Sequence, residues 1–356
     1  MNAGHEQTAL ELRVRDFISA SVGREFDDRS FAPLALAIHA SQLRHNEPYA
    51  RYCRALGAPG ELRDWREIPG VPQQAFKHAE LRTFPAEATT ATFHTSGTTG
   101  EGAGRHHFRS LALYEQSVRA GWRHAGLPMN RRHWHLIPPP KDAPHSSLSH
   151  MMGALADFAT EQIWFARQAD GVMRIDHEAL IAAVGEACEP VILFGTALSF
   201  LHVFERLGAR CLALPAGNIA FETGGYKGSG RTLEKADLYA EFTARLGLPA
   251  ASIWNEYGMT ELSSQCYARG LSAPHRPPPW LRALVIDPES GAEVPVGGMG
   301  VLKLIDLANV GSVIGIQTRD LAVRRDDGAF ELLGRDPAAL PRGCSRAADE
   351  MLSLPS

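Results

Sequence analysis

Thr95-Ser96-Gly97-Thr98-Thr99-Gly100, continued by Glu101-Gly102-Ala103-Gly104-Arg105, is the stretch that decides how this chain is read. It directly follows the strand-like pair Thr92-Phe93. Its glycines let backbone N–H groups approach an anion closely while the Ser and Thr hydroxyls add donors, so the string can wrap a phosphate. The Gly-Lys-Ser/Thr ending of a Walker P-loop is missing. Alone, the string reads equally as a Gly/Thr-rich surface turn. A second stretch, Asn255-Glu256-Tyr257-Gly258-Met259-Thr260-Glu261, follows the apolar run 252–254. An aromatic, a Gly, a Thr and a Glu in that order offer a stacking face, a tight turn, a phosphate donor and a carboxylate for Mg2+. Third come Thr318-Arg319-Asp320 and Gly334-Arg335-Asp336, an acceptor and a cation suited to ribose hydroxyls and phosphate charge. Separately, Asp320 is an ordinary turn residue and Arg335 an ordinary solvated charge.

The chain around these stretches has globular proportions. Its 356 residues are 44% hydrophobic and 21% charged, enough to bury a large core. Lys plus Arg number 36 against 40 Asp plus Glu, a net charge of -4, so neither nucleic acid nor an anionic membrane is expected as a partner. No apolar run reaches about 18 residues. Residues 1–16 interleave His5, Glu6, Glu11, Arg13 and Arg15 with apolar positions, leaving no signal-peptide core, and a cytoplasmic location is expected. The five cysteines are scattered without C-x-x-C pairs, which argues against a disulfide framework or a zinc site.

Periodicity supplies the organisation. Residues 1–70 repeat apolar positions at helical spacing (Leu10, Val14, Phe17, Ile18; Leu34, Ile38, Leu43) and form an N-terminal helical segment. Residues 71–273 alternate short strands with amphipathic helices, the pattern of an α/β core; one helix runs near Ser110 to Ala125 with Ser110 as its cap, and another follows Ser149. Residues 274–335 read as a β-rich subdomain with strands at 284–286, 301–305, 313–316 and 330–333. Residues 336–356 are a residual tail.

In order and spacing the three stretches resemble the adenylate-forming superfamily of acyl-CoA synthetases, peptide-synthetase adenylation domains and luciferases. With 221–228 (Phe-Glu-Thr-Gly-Gly-Tyr-Lys-Gly) and Arg342-Gly343-Cys344-Ser345, the chain resembles more narrowly the acyl-protein synthetase (LuxE) family, from about Val71 to Glu350. The resemblance implies the N-terminal domain of an adenylate-forming enzyme: layered sheets flanked by helices, a β-rich, barrel-like subdomain, and a largely absent C-terminal mobile domain. It implies ATP and Mg2+ as cofactors. Thr95, Ser96, Gly97, Thr98, Thr99 and Gly100 would then cradle the β- and γ-phosphates, Gly224 and Gly225 border the adenine and Tyr257 stack on it. Thr260 would touch the α-phosphate, Glu261 hold Mg2+, Asp320 the ribose hydroxyls and Arg335 the ribose or phosphate side. His150 would sit beside the acyl carboxylate.

Two departures accompany the resemblance. The superfamily loop usually continues into Pro-Lys-Gly, whereas Ala103-Gly104-Arg105 follows here, making Arg105 the nearest replacement cation. The superfamily's catalytic lysine lies on a further C-terminal domain, while this chain stops soon after Arg335; Lys227, in the Gly-rich 223–230 stretch, is the candidate for compensating charge. Cys344 stands between Arg342 and Arg346, which favour its thiolate, and the resemblance implies acylation of a cysteine near the C-terminus. His133 and His135 alternate around Trp134 and would share one face of a strand, as a metal pair requires, but no third ligand has matching spacing.

The expected function is ATP-dependent activation of a carboxylic acid, fatty by resemblance, with transfer to a protein thiol: Cys344, a reductase or a carrier protein. An acyl-CoA or acyl-carrier-protein ligase for a short or aromatic acid is the neighbouring alternative. A catalytically silent nucleotide-binding scaffold is the alternative of another class.

Overall fold

Helical spacing of apolar residues sets the first layer of the protein. The computed structural model describes residues 3–25, 27–95, 102–169, 172–224, 233–335 and 351. These belong to two compact units, one comprising Met1–Gly126, Met259–Gln265 and Pro274–Ser356, the other Leu127–Gly258 and Cys266–Ala273. In the first unit, Leu10, Val14 and Ile18 lie one turn apart on α1 (Ala3–Ser21), and Phe31, Leu34, Ala35 and Ile38 line one side of α2 (Asp28–His45). Asn46 ends α2 and caps α3 (Glu47–Ala55): its backbone N–H donates to the Gln42 carbonyl, and its side chain accepts from Tyr49 N–H. There follow β1 (Val71–Pro72), α4 (Ala75–His78), the antiparallel hairpin β2 (Ala91–His94) and β3 (Arg105–Phe108), and α5 (Ala112–His124). Leu111, not Ser110, occupies the cap position of α5, although Ser110 Oγ still accepts the Ala112 N–H at 3.2 Å.

The second unit is an α/β layer. Its elements are β4 (Arg131–His135), α6 (Ser147–Gly153), β5 (Ala159–Trp164), the hairpin β6 (Ala166–Ala169) and β7 (Val172–Ile175), α7 (His177–Glu186), β8 (Val191–Thr196), α8 (Ala197–Leu207), β9 (Ile219–Thr223), α9 (Lys235–Leu246), β10 (Ile253–Tyr257) and β11 (Cys266–Arg269). The six-stranded sheet runs β11-β10-β9-β8-β4-β5, parallel except for β11. Register puts Ile163, Trp134, Leu193, Ala220 and Ile253 in one row on one face. That row joins a core with Phe200, Val203, Phe204 and Leu207 of α8 and Leu238, Phe242 and Leu246 of α9. Ser146, Asp176 and Thr196 cap α6, α7 and α8 by accepting the N–H three residues on, so each crossover helix starts at a defined point. The helix expected after Ser149 therefore begins at Ser147, a few residues earlier.

The chain then completes the first unit with β12 (Leu281–Ile286), β13 (Met299–Asp306), β14 (Gly315–Arg324) and β15 (Phe330–Arg335). These strands pair antiparallel in succession, and β1 joins β14 in parallel. The pairs Val71↔Ile316 and Asp320↔Arg335 place β1 and β15 along successive parts of β14. Trp280, Leu284, Ile286, Val301 and Ile305 bury themselves with the stripes of α1 and α2 and with Leu113 of α5. Helices from the start of the sequence and strands from its end thus share one core.

Phe242 is fully buried, with ring centroids 4.6 Å from Phe200 and 5.1 Å from Phe204. Phe242→Ala is expected to destabilise the α/β unit by about 3–5 kcal/mol through the cavity it leaves, while Leu12→Ala on the exposed side of α1 changes stability by less than about 0.5 kcal/mol. Urea unfolding monitored by circular dichroism measures both.

Candidate active site

The phosphate-loop motif springs from the β2–β3 hairpin of the first unit. Ladder pairing ends at His94↔Arg105. One residue on, the Thr95 N–H donates to the Gly104 carbonyl at 2.9 Å, and Thr95 Oγ1 accepts the Gly104 N–H at 2.8 Å. Thr95 therefore closes the mouth of the loop. A Cβ on Gly104 would stand 3.0 Å from Thr95 Cγ2 and 3.2 Å from its Oγ1, so a larger residue there would press on the closure. Ser96, Gly97, Thr98, Thr99 and Gly100 lie outside the described residues. Arg105 is ion-paired with Glu80 at 2.8 Å, and Arg82 and His107 meet the same carboxylate.

The Thr260–Glu261 pair belongs to the same unit and is folded as a turn, with Leu262 N–H donating to the Met259 carbonyl at 3.1 Å. Irregular backbone at depth needs side-chain partners, and this turn has several. Thr260 Oγ1 donates to the His94 carbonyl at 3.4 Å, and His106 Nδ1 donates to the Thr260 carbonyl at 2.8 Å. Both contacts come from the strands that carry the phosphate-loop motif. Glu261 is buried, and its carbonyl accepts Asn309 Nδ2 at 2.9 Å. Asp306, at the end of β13, accepts from Ser263 N–H (3.0 Å), Ser264 Oγ (2.7 Å) and Ala308 N–H (2.9 Å). Desolvation raises the Asp306 carboxyl to about 6 against the lowering effect of those donors. The sequence reading passed over His106, Asp306 and Asn309. Only Asp306 has a local signal, a polar residue ending a largely apolar strand; His106 sits in the polar run Arg-His-His-Phe and Asn309 in the loop after β13.

Asp320 and Arg335 stand opposite each other on β14 and β15, and Arg335 Nε donates to Asp320 Oδ1 at 2.8 Å. The structure brings these two predicted residues together as an ion pair. A second guanidinium nitrogen of Arg335 reaches Gln73 Oε1 at 3.5 Å, and Gln73 Nε2 contacts Met259 Sδ at 2.9 Å.

In the second unit, Tyr257 and Gly224 stand at the carboxyl ends of the parallel strands β10 and β9, where open α/β sheets bind ligands. Glu256↔Thr223 is the last register pair of β10 and β9, so Tyr257 and Gly224 follow side by side at that edge. Gly224 has φ +68, a left-handed conformation that suits glycine. His150 lies one turn inside α6. Gly225, Lys227 and Cys344 lie outside the described residues. His133 and His135 share one face of β4, as their alternation requires, but their rings are packed among aromatics. His135 stacks between Trp164 (3.9 Å) and Phe194 (4.8 Å), and His133 meets Phe194 edge-on. Burial holds His133 at about 4 and His135 well below the ordinary imidazole value, so both are neutral. Among the described residues no group of three or more His, Cys, Asp or Glu is placed to hold a metal ion.

Comparison with solved structures identifies the fold. The chain is similar to 2-hydroxyisobutyryl-CoA ligase in the postadenylation state with 2-HIB-AMP, with 15% identity over 87% of this chain and 69% of that one and a TM-score of 0.63. An open conformation of that ligase with 2-HIB-AMP and CoA gives 16% identity, 86% and 70% coverage and a TM-score of 0.62. ATP-bound MatB from Rhodopseudomonas palustris gives 20% identity over 71% of this chain, with a TM-score of 0.50. The chain spans about half the length of MatB, 49%. No protein-family profile matches the sequence, and no curated protein matches it either. The α/β fold expected from the motifs is the fold observed. No helix among the described residues is long and apolar enough to cross a membrane.

Glu222 and Glu256 are buried on adjacent strands β9 and β10; Glu222 accepts from Asn255 Nδ2, and Glu256 from Thr223 Oγ1. Desolvation raises both carboxyls from the ordinary 4.5 to about 7. Buried, neutral His133 and His135 favour folding more as pH rises, whereas through these two carboxyls the folded state holds protons that the unfolded chain has released, so their own contribution to stability falls as pH rises from about 4.5 to about 7 and is flat beyond. The expected loss is on the order of a few kcal/mol. Urea unfolding of the wild type and of Glu222→Gln with Glu256→Gln at pH 5 and pH 7.5 isolates it: relative to the variant, the wild type should lose stability between the two pH values.

Proposed function

We propose that the protein activates a carboxylic acid as its acyl-adenylate, carboxylate plus ATP giving acyl-AMP and pyrophosphate, as an adenylate-forming ligase. One observation carries the reading: Thr260 is bonded to His94 and His106, which stand on the two strands that flank the hydroxyl- and glycine-rich sequence, so the Thr-Glu turn meets the ends of both strands. The fold it shares with acid–CoA ligases supports the same reading.

A carboxylate attacking the α-phosphorus needs charge neutralisation and in-line alignment more than an acid or a base. Ser96, Thr98 and Thr99, with the loop's amides, supply donors for the outer phosphates, and Thr260 supplies a hydroxyl for the α-phosphate. Glu261 fits Mg2+ in donor chemistry: a hard carboxylate oxygen of the kind that, with substrate phosphates, completes a Mg2+ shell without an all-protein cage. Bound there, Mg2+ would neutralise phosphate charge. Tyr257 and Gly224 offer an aromatic face and open backbone for the base, and Asp320 a carboxylate for ribose hydroxyls.

For the second half-reaction we propose transfer to a thiol on protein, with Cys344 as acceptor, in line with the LuxE resemblance. Among the described cysteines Cys53 and Cys266 are buried, and burial pushes the Cys53 thiol up to about 12, which leaves it a poor nucleophile. Transfer to coenzyme A is the second reading, favoured by the CoA-ligase neighbours.

Acid-dependent pyrophosphate–ATP exchange over a panel of carboxylic acids tests the first half-reaction, and Glu261→Ala should lower it by about 10²–10³-fold. ATP binding without exchange for any acid would instead indicate a silent scaffold. Gel labelling with radioactive acid tests the second step. Cys344→Ala should retain exchange and lose covalent label, and label persisting in that variant would remove Cys344 from the scheme.

A further inference from the structure

The Thr260–Glu261 turn lies outside every strand and helix, yet Glu261 is buried. Its two consecutive carbonyls are each taken by one side chain from a distant part of the same unit. His106, on β3, donates Nδ1–H to Thr260 O at 2.8 Å; Asn309, in the loop after β13, donates Nδ2–H to Glu261 O at 2.9 Å. A carbonyl can only accept, so this bond fixes the proton of His106 on Nδ1.

Both donors are themselves fixed. The His106 ring is buried, 4.2 Å from the Phe108 ring centroid and 5.7 Å from that of Phe76. Desolvation lowers it to about 4, so it stays neutral and keeps one tautomer at physiological pH. Asn309 is buried, shares its amide N–H groups with Val313 O at 3.1 Å, and accepts Ser263 Oγ at 2.7 Å. Neither bond uses the Thr260 or Glu261 side chain.

We propose that His106 and Asn309 are positioning residues: a two-point clamp on consecutive main-chain carbonyls that fixes the Thr260 hydroxyl and the Glu261 carboxylate relative to the hairpin carrying the phosphate-loop motif. This rests on the adenylation reading above. A clamp of this kind acts on reacting geometry more than on ground-state affinity, because small misplacements near the reacting atoms cost rate steeply.

The test compares His106→Ala, His106→Asn and Asn309→Ala with the unaltered full chain in pyrophosphate–ATP exchange, alongside thermal unfolding. An Asn side chain places a neutral N–H near the position of imidazole Nδ1. His106→Ala and Asn309→Ala should each lower kcat about 10- to 100-fold with KM for ATP and acid within about threefold, and His106→Asn should recover most of the loss. Rates within about threefold of wild type in both Ala variants, or His106→Asn no better than His106→Ala, would overturn the clamp. If His106→Ala does not fold, the decision falls to Asn309→Ala and His106→Asn on the same criteria. A wild-type chain that binds ATP but exchanges with no acid removes the adenylation reading instead. The clamp is then judged by hydrogen exchange over 259–265, which must speed up in Asn309→Ala and stay slow in His106→Asn for the proposal to stand.

Discussion

A buried carboxylate that finds its partners among neutral donors ties the first unit together next to the Thr260–Glu261 turn. Asp306 is fully buried, and the bonds that satisfy it come from Ser263, Ser264 and Ala308. A carboxylate buried without such donors would carry a large desolvation cost, so the segment 263–264 is bound to the end of β13 by the requirement that Asp306 be satisfied. Ser264 extends the chain of bonds to Ser117 on α5, whose hydroxyl also accepts Trp280 Nε1 at 2.9 Å. Gln42 on α2 reaches the Asn309 carbonyl at 2.8 Å and accepts the Ile314 N–H. Helix, strand and turn are thereby tied through polar side chains beneath an apolar core. Networks of this kind specify one arrangement because a half-satisfied one is costly.

What the sequence disclosed follows from the range of the interactions involved. The stripes of α1 and α2 are written within a few residues, and periodicity finds them; the glycine–hydroxyl string is an equally local pattern. The Tyr257–Glu261 block was legible for the same reason. His106, Asp306 and Asn309 were not. His106 stands inside Arg-His-His-Phe, and its significance lies 154 residues away at Thr260. Asn309 acts on a carbonyl 48 residues distant. Nothing local distinguishes them from polar residues that end a strand.

Boundaries failed where a neighbour outside the window decided the start. The α6 helix begins at Ser147 because Ser146 can cap it, an option a search anchored on Ser149 overlooks. β14 begins at Gly315, where pairing with β13 begins, after the apolar pair Val313-Ile314 that suggested an earlier start. The paired histidines of β4 were placed correctly on one face, but their rings became part of an aromatic stack. Alternation predicts a shared direction and says nothing about what waits there.

The two raised carboxyls on β9 and β10 also bear on how this protein's energetics are measured. Near neutrality the second unit takes up protons from its surroundings as it forms, and the buffer must release them. A heat recorded in a calorimeter therefore contains the buffer's own ionisation, differing between phosphate and Tris for an identical folding event. Only the part that is common to such media belongs to the chain itself.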